Sequence, residues 1–218
     1  MKNKDKNLIN KLTNDLTQVK PVACCTHRFI LALAVILVCS LALFFMKGGL
    51  RLADNIIFTP AFVTESLLLC ISGLLSGWAA FKLSIPDYRV RLPVMVSLLI
   101  PTFVWLSLNI WCYMMLKDRI AEQWSHIERF GIETVELTFL VAIPSAILFY
   151  LISRAAPVNK NLTAYAVILS SASFGALAVR LTCGMNDYAH LLFYHFLPVL
   201  ALGLLGLALG RFFIRGHV

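Results

Sequence analysis

The chain has 218 residues, of which 60% are hydrophobic and only 14% charged, with a formal net charge of +8 and a mean hydropathy of +0.82. Soluble domains lie near 45–50% apolar and about 25% charged, so these values exclude an ordinary soluble enzyme and indicate an integral membrane protein. The surplus of Lys and Arg is then read as basic cytoplasmic loops, not as a nucleic-acid footprint.

The first element is a polar arm, "NLINKLTNDLTQVKPV", from Asn7 to Val22. Leu8, Ile9, Leu12, Leu16 and Val19 follow i, i+1, i+4, i+8 and i+11, one stripe of a helix. Asp15 and the lysines flank the stripe, and Pro21 ends it before the membrane. So short a helix is marginal alone in water. It gains stability either by laying its apolar face in a partner's groove or by lying on anionic lipid through its lysines.

Six apolar stretches then reach the ~20 residues that a helical span requires: Phe29–Met46, Ala61–Phe81, Leu92–Leu116, Ile132–Ile152, Leu162–Leu181 and Ala189–Phe213. Pro60, Pro86, Pro157 and the Gly48-Gly49 pair punctuate the joints. The expected fold is an all-α integral membrane protein: a six-helix transmembrane bundle over residues 29–218, preceded by a cytoplasmic arm over residues 1–28 with a short amphipathic helix. The long polar lead and the lack of a small-x-small cleavage site mark the first span as a retained anchor. The loop "KDRIAEQWSHIERFG", Lys117–Gly131, suits an interfacial helix, with Trp124 and Phe130 at headgroup depth.

Basic residues set the orientation. With the N-terminus inside, thirteen Lys and Arg fall on the inner side and six on the outer, which places both termini in the cytoplasm.

Ionisable groups inside spans are costly and are functional candidates. Glu65, Glu136, Arg180 and Asn109 come from four spans, yet all lie at one depth near the outer side. Such a cluster serves either as structural glue or as a sensing or ligand site. Gly73-x-x-x-Gly77 and Gly206-x-x-x-Gly210 permit close helix approach.

Among the six cysteines, Cys24 and Cys25 fall in the cytoplasm, where thiols stay reduced. Cys39 and Cys70 lie mid-membrane. Cys112 and Cys183 lie near the outer ends of their spans, as a disulfide pair, a reactive thiol or two packing residues. Cys183, Asp187, His190 and His195 are metal-ligating types, but His195 lies more than a helical turn beyond His190. Shared coordination, and with it a metal site, is not expected. No Walker, GxGxxG, HExxH or GxSxG motif occurs, so neither an enzyme nor a cofactor is expected.

The stretch "SRAAPVNKNLTAYAVILSSASFGALAVRLTCGMNDYAHLLFYHFLPVLALGLLGLALGRFFIRG" resembles the NrsF family of bacterial membrane anti-sigma factors. The likeness is carried by Arg154, Ala156, Pro157, Cys183, Tyr194, His195, Pro198, Gly206, Gly210 and Arg211. Upstream, "TPAFVTESLL" adds Pro60, Phe62 and Glu65, and "DLTQVKPV" adds Asp15, Leu16, Val19 and Pro21. This chain departs from the family pattern in having Tyr194 where Trp is usual and Gln18 where Pro is common. It also lacks a cysteine near the start of span four, which leaves Cys112 as the outer substitute. The resemblance implies an extracytoplasmic-function sigma factor as partner, held at the bacterial inner membrane through Leu8, Leu12, Asp15, Leu16, Val19 and Pro21. The protein itself would touch no nucleic acid. Glu65, Cys112, Glu136, Arg180, Cys183, His190 and His195 would form the outer cluster that receives an envelope, redox or metal stimulus. The competing class is a small transporter or channel built on Glu65, Glu136 and Arg180, with membrane redox chemistry through Cys183 behind it.

Overall fold

A computed structural model describes Lys6, Asn10, Thr13 and residues 25–46, 60–85, 92–116, 130–153, 155, 157–182 and 190–214. Among them the chain is helical and has no strand. The long helices are α1 (Cys25–Met46), α2 (Pro60–Leu83), α3 (Leu92–Leu116), α4 (Phe130–Ser153) and α5 (Lys160–Thr182). The last helix opens as a π turn, Leu191–Phe196, and continues as α6, Leu197–Phe213.

Four of these are long and apolar enough to cross a membrane: Phe62–Leu83, Leu92–Met115, Lys160–Thr182 and Leu191–Ala208. The apolar stretches described in the other two, Thr26–Ala42 and Leu137–Ser153, are shorter. Pro60 opens α2, where its missing N–H has no helical partner to lose and its fixed φ suits the first turn. Asn159 caps α5, its Oδ1 accepting the N–H of Leu162 at 3.1 Å. That is the ordinary way to satisfy an orphan donor of the first turn. Pro101 and Pro144 sit inside α3 and α4, an interruption that neighbouring helices make tolerable in a membrane.

The core is organised around α5, which packs against α1, α2, α4, α6 and the π turn. Its sequence explains this position. Ala164, Ala166, Ser170, Ser171, Ala172, Ser173, Gly175 and Ala176 are all buried, and residues this small let backbones approach closely. In lipid the hydrophobic effect does not drive helices together, so packing and interhelical hydrogen bonds must. Ser170 Oγ donates to the Gly73 carbonyl at 2.8 Å. Trp105 Nε1 on α3 donates to Ser173 Oγ at 3.1 Å, and that hydroxyl donates on to the Leu169 carbonyl at 2.7 Å. The Tyr165 hydroxyl meets the Thr102 hydroxyl of α3. Where α6 crosses the start of α5, a Cβ on Gly210 would lie 2.6 Å from Asn161 Cα, so only glycine permits this approach. Outward-facing Val38, Phe103, Phe139 and Phe212 are each more than 60% exposed, as an apolar belt facing lipid requires.

Lys6, Asn10 and Thr13 are helical and exposed, and the Thr13 hydroxyl donates to the Asn10 carbonyl at 3.2 Å. Their i, i+4, i+7 spacing puts the three on one side of a helix. The stripe and its flanks, Leu8, Leu12, Asp15, Leu16, Val19 and Pro21, lie outside the described residues.

Candidate functional site: a buried polar cluster at one end of the bundle

α2 begins where α5 ends, so the first turns of one lie beside the last turn of the other. Glu65 projects from α2 and Arg180 from α5. Arg180 Nε donates to Glu65 Oε2 at 3.1 Å, with the two side chains 3% and 10% exposed respectively. Phe62 lies one turn before Glu65 on the same face of α2, and the Arg180 guanidinium stacks over its ring at 4.9 Å. A cation in the last turn of a helix also meets the negative end of the helix dipole. Glu65 Oε1 is buried without a hydrogen-bond partner among the described residues.

α3 closes the same end of the bundle. Asn109 Nδ2 donates to the Trp105 carbonyl at 2.8 Å, leaving its Oδ1 buried and without a partner among the described residues. One turn on, Cys112 is fully buried and lies within electrostatic reach of Glu65.

The π turn adds the histidines. His190 Nε2 and His195 Nε2 are 3.2 Å apart, with ring centroids at 5.1 Å. His190 stacks on Tyr194 at 4.8 Å, and His195 lies within electrostatic reach of Arg180. This corrects the expectation that the two imidazoles are too far apart to act together. That expectation assumed α-helical spacing, in which residues five apart diverge around the axis. Here the Leu197 N–H reaches back five residues to the Leu192 carbonyl, and this wider turn brings positions 190 and 195 onto one face.

Glu65, Cys112, Arg180, His190 and His195 are thus assembled at one end. Glu136 is in α4, but its side chain, like all of Cys183, lies outside the described residues, and so does any Cys112–Cys183 pairing. Among the described residues no group of three or more His, Cys, Asp or Glu is placed to hold a metal. Sequence reasoning missed the indole–hydroxyl link of Trp105 to Ser173. Its signal was the run of small polar residues in "SSAS", which is out of place in a segment bathed by lipid.

The opposite end holds a second buried cation. Arg28, counted by sequence among the basic residues of the arm, lies inside α1 at 7% exposure. Its Nη2 donates to the Leu151 carbonyl in the last turn of α4, and its guanidinium lies 5.7 Å from the centre of the Phe81 ring.

Fold and cluster together define a helical membrane protein whose interior charges tie its helices to one another. The family model described as Negative regulator of sigma F, NrsF, matches residues 12–215, nearly the whole chain, and the protein belongs to that family. Its function is accordingly negative regulation of a sigma factor, which makes a sigma factor its partner. Neither the curated proteins nor the solved structures contain a match.

Proposed function

We propose that the protein is an anti-sigma factor of the bacterial inner membrane, with all six helices crossing the bilayer and both termini in the cytoplasm. Its arm captures an extracytoplasmic-function sigma factor through the stripe Leu8, Leu12, Leu16 and Val19, with Asp15 and Pro21 fixing the register and end of the docked helix. Held at the membrane, the sigma factor is kept from RNA polymerase and promoter DNA. An envelope, redox or metal stimulus at the outer end, around Glu65, Cys112, Glu136, Arg180, Cys183, His190 and His195, releases it.

The observation that carries this reading is the extent of the family match, which begins at Leu12 and so takes in the second half of the arm as well as every long helix. The Glu65–Arg180 pair, closed and almost wholly buried, supports a role in locking helices over one in passing a solute.

Co-purification of the full chain with its cellular sigma factors tests the proposal. The parent should retain a sigma factor in the membrane fraction. Leu16→Asp with Val19→Asp should release it and raise sigma-dependent transcription, with membrane insertion unchanged. Equal retention by the double variant would remove the arm as the docking element.

A further inference from the structure

We propose that His190 and His195 form the protein side of a binding site for a divalent transition-metal cation of the zinc class. The two Nε2 atoms converge to 3.2 Å. A tetrahedral zinc ion bound at roughly 2.0–2.1 Å by two imidazole nitrogens holds them about 3.3–3.4 Å apart, so one ion satisfies both at ordinary bond lengths. As a hydrogen bond between the rings, by contrast, 3.2 Å is at the long limit for an N–H donor.

The backbone supplies an independent observation. The six residues Leu191–Phe196 are the only π segment among the described residues. Such insertions are rare and concentrate at functional sites. The effect of this one is to bring His190 over His195, which an α-helix would not do.

The surroundings suit the ligand. His190 is 6% and His195 1% exposed, and stacking on Tyr194 at 4.8 Å fixes the His190 ring. His195 Nδ1 is buried with no hydrogen-bond partner among the described residues. Arg180, the nearby positive charge, is offset by Glu65 at 3.1 Å. Imidazole favours zinc, copper, nickel and cobalt over magnesium or calcium. Two protein nitrogens leave the remaining positions of a tetrahedral ion for water or other donors.

The inference goes beyond the sigma-factor reading, and its test contains no sigma factor. The full chain, free of any polyhistidine tag and held in detergent or lipid discs, is titrated with Co2+ and then Zn2+. The parent should bind one Co2+ with the visible absorption of a low-symmetry site and give it up to Zn2+. His190→Gln and His195→Gln should each weaken binding by at least about tenfold, a loss that even outer-shell changes can produce. A chain carrying His27→Gln, His126→Gln and His217→Gln should bind as the parent does. Because the first two variants can misfold, Cu2+ bound to the unaltered chain is also read by electron paramagnetic resonance, which should show coupling to two imidazole nitrogens. A parent that binds no Co2+, binding that survives both histidine variants, or coupling to fewer than two nitrogens would overturn the site.

Discussion

Arg180 and Glu65 meet at 3.1 Å, tying the end of α5 to the beginning of α2 with opposite charges almost wholly removed from solvent. The two charges are mutually dependent: either one alone would be a buried ion without compensation. Breaking such a pair from one side typically costs about 3–5 kcal/mol, whereas replacing both partners by apolar groups of similar volume is often neutral or stabilising. Glu65→Gln should therefore lower the unfolding midpoint in detergent, and Glu65→Met with Arg180→Met should recover most of the loss. A Glu65→Gln chain as stable as the parent would show that the pair holds nothing together.

Glycines on α6 should differ in a predictable order. A Cβ on Gly210 would fall 2.6 Å from Asn161 Cα and 2.7 Å from the Lys160 carbonyl oxygen, both backbone atoms, while one on Gly203 would meet only side chains, the Tyr165 ring at 3.3 Å and Leu169 Cδ1 at 3.7 Å. Gly210→Ala should cost about 1–3 kcal/mol, the usual price of overpacking, and Gly203→Ala should cost clearly less. Thermal unfolding of the two variants side by side decides it; equal effects would contradict the close approach at Gly210.

Orientation is open to a direct reading. The thirteen-to-six bias of Lys and Arg predicts Ala121 outside and Asn159 inside. A reporter active only in the periplasm should work when fused at Ala121 and fail at Asn159. The reverse pattern would invert the bundle and move the Glu65–Arg180 cluster to the cytoplasmic side.

Release of the partner should depend on the outer end. Moving a two-arrangement bundle from 1:99 to 99:1 takes about 5.5 kcal/mol of differential stabilisation. Chemistry at a thiol can contribute to that. Cys183→Ser should hold the sigma factor when oxidant or a thiophilic metal is added, and Glu65→Gln should shift basal transcription while binding persists. Sigma-dependent transcription provides both readouts, and an unaltered response in Cys183→Ser would exclude the thiol as the sensor.

The helices were legible because apolar length is a strong signal. The expected Leu92–Leu116 coincides with α3, and the other starts and ends differ from the observed ones by a few residues at most. The common depth of Glu65 and Arg180 was also readable, since it follows from counting turns inward from the loops. Their direct pairing was not, because rotation about each helix axis is set by packing: in α2, α4 and α5 polar and apolar residues are not segregated to opposite faces, so no face is marked as inward. The π turn was hidden for a related reason. "LLFYHFLP" is apolar but for His195, so no change of period betrays the wider turn. One trace was present: Pro198 has no N–H to give the Tyr194 carbonyl, which breaks the α ladder where the π turn ends. The partners of Arg28 were not readable either, because a helix-end carbonyl and an aromatic ring from two other helices reach it only in the folded chain.

The central place of α5 has a consequence for biosynthesis. It is the fifth of the described long helices to leave the ribosome, yet α1, α2, α4 and α6 all pack on it. Until Thr182 has emerged, the earlier helices have only their contacts with one another, such as α2 with α3 and α1 with α4, and Glu65 lacks its counter-charge. Closure of the bundle is thus a late event in translation. A chain cut short before α5 keeps its lipid-facing exteriors but lacks the helix on which α1, α2 and α4 all pack, which makes such fragments natural targets for membrane quality-control proteases.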